Sequence, residues 1–220
     1  MNEQQAREHW ASMTHGEKLF FIASNGNAAS FAYERLQMHR NAAHMQMARI
    51  GEAIAASKPR IPEPRAGATQ HEMRTYIRDG ARRMEPVFAE VHFYFVCWSG
   101  CRNMLQILTG QPEFLEAKKV FDGYRAEFEH YVAGRNSFEH FHDRLPGQSD
   151  THRVKEVQPD PRVGPHRIFA GLSSGKYVHS NLEWDISPAS LERLEKYISN
   201  VLAVVHKKID EEFIRTGMSA

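Results

Sequence analysis

Apolar residues recur along this chain at intervals of three and four. After Pro112, the residues Phe114, Ala117, Phe121, Tyr124, Phe128 and Tyr131 follow at steps of 3, 4, 3, 4 and 3. That spacing places them on one face of a packed helix. Pro112 suits a first helical turn, where its missing amide hydrogen is not needed. The pattern predicts a helix over 112–133. Leu191, Leu194, Ile198, Val201, Val205 and Ile209 mark a last helix over 188–215. Ser187 is placed to cap it and Pro188 to open it. The Pro-poor stretches predict three earlier helices, over 3–24, 27–57 and 69–109. The third is expected to kink or break near Pro86, whose ring removes one helical donor. The proline clusters at 58–64 and 158–165 read as loops.

The pattern changes between 166 and 186. Here β-branched and aromatic residues flank Ser173-Ser174-Gly175, which predicts a short hairpin. The fold class that follows is mainly α: an antiparallel helical bundle with a small β-hairpin before the last helix. We read one domain over 1–220, with a motif region at 112–147, the hairpin at 166–186 and the C-terminal helix at 188–215.

Composition narrows the function classes. The chain has 220 residues, enough to bury a core without disulfides or metal. Lys and Arg total 28 against 27 Asp and Glu, so a strongly basic nucleic-acid coat is excluded, whereas a local nucleic-acid site is not. The only cysteines, Cys97 and Cys101, lie one turn apart in an apolar segment. They read as buried, inert thiols rather than a secreted disulfide framework, and a cytoplasmic location is expected. The longest apolar run, Val91 to Trp98, is too short to span a bilayer, and the polar N-terminus carries no export signal core, so no membrane association is expected.

Candidate chemistry concentrates in GRNSFEHFHDRLPG, residues 134–147. Arg135, Asn136 and His140 form R-N-x-x-x-H. Asn136 and His140, four apart, share a helix face. A guanidinium holds a phosphate by paired hydrogen bonds, and an imidazole moves protons near neutral pH. Together they suit metal-free cleavage of RNA through its 2′-hydroxyl.

The segment RNSFEH resembles the R-x4-6-H motif of the HEPN superfamily, including the polar residue that commonly follows the Arg. Those domains are all-α and often dimeric. Many are metal-independent ribonucleases of toxin–antitoxin, phage-defence and RNA-processing systems. The resemblance implies that Arg135 binds phosphate, Asn136 assists and His140 is the acid/base. It also implies an RNA substrate, a homodimer, an antitoxin or regulatory protein as partner, and no cofactor or metal. The specific match covers about fifteen residues, and the hairpin lies outside the family's core pattern.

Three alternatives stand beside that reading. His142 fits a second register with Arg135, and Glu139 and Arg144 are auxiliary candidates. Arg135 and His142 also suit a purely structural role, bonded to backbone carbonyls or to Glu139. The bundle would then be a non-catalytic RNA- or nucleotide-binding or assembly module. Glu127-x-x-His130 and Glu139-x-x-His142 suit a metal-binding bundle, with His39, His44, His71 and His92 as further ligands. On one helix, however, the two motifs lie about 18 Å apart and cannot enclose one ion pair. The basic run RDGARR with Arg74, and Arg144 with Arg153, are candidates for guiding an RNA backbone. Ser173-Ser174-Gly175-Lys176 lacks the glycine spacing of a phosphate loop and reads as a turn.

Overall fold

The computed structural model describes residues 3–58, 65–139, 170–179 and 182–217. They form helices α1 (Glu3–Ser12), α2 (His15–Ile22), α3 (Gly26–Ser57), α4 (Gln70–Thr109), α5 (Leu115–Glu139) and α6 (Pro188–Gly217). A 3-10 turn over Pro112–Phe114 leads into α5. Strands β1 (Ala170–Ser173), β2 (Lys176–His179) and β3 (Leu182–Asp185) form one antiparallel sheet in that order. The fold is mainly α, with the small sheet preceding the last helix.

The first expected helix, over 3–24, is two helices. Thr14 ends the run because its side chain accepts from the Glu17 amide at 3.2 Å, while Glu17 Oε2 accepts from the Thr14 amide at 2.7 Å. This reciprocal box satisfies two donors that a helix start leaves open. The turn into α3 then demands glycine at 26, where a Cβ would lie 1.9 Å from the Phe20 carbonyl oxygen. Helix α4 is opened by a second such box, between Thr69 and Glu72. It runs through Pro86 without interruption. Pro86 and Arg82 are both exposed, so solvent can reach the Arg82 carbonyl that loses its donor.

In the hairpin, Ser173 pairs with Lys176 across Ser174 and Gly175, whose φ values of 49° and 78° are those of a type I′ turn. Ser173 to Lys176 is therefore a turn, as the sequence suggests. β3 adds a strand that the expected hairpin did not separate, pairing Tyr177 with Trp184.

Contacts divide the chain into two units, and α3, α4, α5 and α6 contribute residues to both. The first comprises Met1–Asn41, Cys97–Val132 and Glu192–Ala220. Its core holds most of the predicted stripes: Phe114, Ala117, Phe121, Phe128 and Tyr131 of the α5 segment are buried, as are Leu194, Ile198, Val201, Val205 and Ile209 of α6. Trp98 lies flat on Tyr131 at 3.9 Å between centroids and meets the edge of Phe128. Tyr124 is the exception in its stripe: it is half-buried, stacks on Tyr197, and its hydroxyl accepts from Asn200. The second unit comprises Ala42–Val96 and Ala133–Leu191. Its core contains Val87, Val91, Tyr94, Phe95, Tyr177 and Trp184, and Tyr94 shares a buried 2.8 Å hydrogen bond with Ser190.

Candidate functional site

The last turns of α5 carry Arg135, Asn136 and Glu139, and two small residues fix where this segment lies. Gly134 and Ser137 are buried. A Cβ on Gly134 would stand 2.8 Å from the Phe95 ring and 3.0 Å from Trp184 Nε1, so α5 approaches both aromatics too closely for any side chain there. Ser137 Oγ donates back to the Gly134 carbonyl at 2.7 Å, which removes a hydroxyl that burial would otherwise leave unsatisfied. With that face turned inward, Arg135 and Asn136 are left half-buried and Glu139 exposed.

Arg135 Nε donates to Glu139 Oε2 at 3.1 Å, an i,i+4 ion pair. This is the partner named in the structural alternative. At about one third exposure on each side chain, water screens the pair, and it holds Arg135 only weakly. Helix α4 adds a third group. His92 Nε2 lies 3.9 Å from Glu139 Oε1, beyond hydrogen-bond reach, and has no hydrogen-bond partner among the described residues. Burial lowers the His92 pKa below its ordinary value; Glu139 pulls it back up and Arg135 pushes it down. The imidazole is therefore neutral at neutral pH and able to accept a proton.

Aromatic stacking sets the position of His92. Its ring faces Phe138 at 5.2 Å, Phe138 faces Tyr177 at 4.7 Å, and Tyr177 runs nearly parallel to His179 at 6.4 Å. This column of four rings ties α4, the end of α5 and β2 together. The sequence placed His92 only among scattered histidines. Its one signal was a titratable residue inside the apolar run Val91 to Trp98. His140, His142, Arg144 and Arg153 lie outside the described residues, so the described part of the site is Arg135, Asn136, Glu139 and His92.

The other candidates have structural partners. Both carboxylate oxygens of Glu127 are engaged, one by Arg193 Nε at 2.8 Å and one by the Tyr197 hydroxyl at 3.1 Å. Among the described residues, no three His, Cys, Asp or Glu side chains are grouped so as to hold a metal ion. Cys97 and Cys101 are buried; desolvation pushes the Cys97 thiol up to about 11 and the Cys101 thiol further in the same direction. In the first unit, His15 and His206 stack at 3.8 Å, and the Tyr33 hydroxyl is 3.3 Å from His206 Nε2. Burial is the largest cause lowering both pKa values; Lys18 lowers His15 further, and His15 lowers His206 further, which favours a neutral packed pair.

No helix among the described residues is long and apolar enough to cross a membrane. No protein-family profile, curated protein or solved structure matches this chain.

Proposed function

We propose that this chain is a metal-independent endoribonuclease of HEPN type, acting as a homodimer. The observation that supports it is that the Arg135 of the sequence motif R-N-x-x-x-H, in the last turns of α5, is reachable from solvent and next to a neutral imidazole. In this reading Arg135 holds the scissile phosphate and stabilises the charge that develops on it. His140 takes the proton from the 2′-hydroxyl, whose oxygen attacks phosphorus. The bond from phosphorus to the 5′-oxygen breaks, and His140 returns its proton to that oxygen, leaving a 2′,3′-cyclic phosphate and a 5′-hydroxyl. Asn136 orients the reacting groups, and His142 is the alternative acid/base. Glu139 must release Arg135 as the phosphate arrives, a small cost for a pair that water already screens. A cytoplasmic toxin–antitoxin or phage-defence role, with an antitoxin or regulatory partner, belongs to the same proposal.

One observation favours a second reading. The Arg135–Glu139 pair gives the guanidinium a carboxylate partner without any phosphate, which suits a non-catalytic RNA-binding or assembly module. Cleavage of labelled RNA by the purified chain in EDTA separates the two. The ribonuclease reading expects cleavage, a drop of roughly a hundredfold or more in His140→Ala, and little rescue of Arg135→Ala by Arg135→Lys, because Lys lacks the planar fork. RNA binding without cleavage in the unmodified chain identifies the module. Activity that disappears in EDTA and returns with Mn²⁺ or Mg²⁺ identifies the metal-binding reading.

A further inference from the structure

The first half of α4, residues 70–86, contains no buried residue. A helix that packs so little needs another reason to carry its sequence. Arg74, Arg78 and Arg82 recur every four residues along it, and all three are exposed. Arg74 and His92 are eighteen residues apart, about five full turns, so they point in the same direction from the helix axis. Arg78 and Arg82 lie within about 80° of that line. The row therefore runs about 27 Å along one helix and ends at His92, beside Arg135 and Glu139. All of these residues belong to the second unit.

We propose that this row is a track for the sugar–phosphate backbone of single-stranded RNA, which it delivers to Arg135. Guanidiniums bind phosphate through paired donors, and a line of them follows a polyanion without reading its sequence. Met73 and Ile77, exposed beside Arg74 and Arg78, offer apolar contact to bases turned away from the backbone. Two acids work against the track. Asp79 pairs with Arg78 at 3.3 Å, and Glu85 lies within about 20° of the line between Arg82 and His92. Asp79 points to the flank and can give up an exposed pair at little cost. Glu85 has no such alternative, so it must oppose the bound strand.

The proposal rests on the ribonuclease reading for the identity of the polyanion, and its test is therefore binding rather than cleavage. Fluorescein-labelled oligouridylate is titrated with the full chain carrying Arg135→Ala, across a salt series. Adding Arg74→Gln, Arg78→Gln and Arg82→Gln together is expected to weaken binding about tenfold or more at low salt. It should also make the slope of log K against log salt shallower by about 2, the counterions of three phosphate contacts. Glu85→Gln is expected to tighten binding a few-fold. Equal affinity and slope in the triple variant overturn the track, as does binding to phosphatidylglycerol vesicles with none to oligouridylate. If arginine-dependent binding is present but the unmodified chain never cleaves RNA, the track stands and the ribonuclease reading falls. If the chain cleaves and the triple variant binds unchanged, the reverse holds.

Discussion

The two halves of α4 form the same secondary structure for different reasons. From Val87 onward, the residues Val87, Val91, Tyr94, Phe95, Trp98, Cys101, Leu105 and Leu108 are all buried, and their spacing alone would specify a helix. Before Pro86 nothing is buried. That half is held by its Thr69–Glu72 box, by intrinsic propensity and by continuity with the packed half. One half is thus free to change its surface chemistry, whereas the other is not. Exposed arginines accumulate where packing imposes no constraint.

Three substitutions test this contrast. The largest effect is expected from Trp98→Ala in the packed half. It removes the ring stacked on Tyr131 and leaves a large cavity, so denaturant unfolding should lose about 3–5 kcal/mol. A loss under about 1 kcal/mol would show that the site relaxes and that the packed half is less constrained than its burial implies. Gly134→Ala should come next. Its methyl presses on Phe95 and Trp184, and overpacking of this kind costs about 1–3 kcal/mol. A neutral result would mean that α5 can withdraw from α4 without penalty. The smallest effect belongs to Thr69→Ala in the exposed half. Loss of the cap should cost about 1 kcal/mol locally. Amide exchange should quicken over residues 70–86 while the global melt hardly moves. Equal destabilisation of the whole chain would join the two halves into one cooperative helix and end the contrast.

The sequence made the packed elements legible and the exceptions less so, for identifiable reasons. The α5 and α6 stripes were readable because burial repeats through many turns, and each added residue strengthens the pattern. The break at Thr14 was written in T-x-x-E, but that signal is four residues long and competes with a continuing polar helix. Pro86 allowed a kink or a break, and the helix is not broken there, because whether proline ends a helix depends on whether solvent can reach the carbonyl it strands, which is a tertiary fact. Strand β3 was hidden by its length, since Leu182–Asp185 is too short to establish a period. At the candidate site, Arg135, Asn136 and Glu139 were visible through local spacing. His92 was not, because its role arises from α4 meeting the end of α5, at Glu139, far along the chain. His140, on which the proposed chemistry turns, rests on the motif.

The two thiols of α4 have a practical use that follows from their burial. Burial pushes both thiols well above the ordinary range, Cys101 further than Cys97, so little reactive thiolate exists at pH 8 while the chain is folded. An alkylating reagent therefore waits for the fold to open before it reacts. The labelling of this chain reports how often its fold opens, and at high dye concentration how fast, with an ordinary thiol dye and no engineered probe.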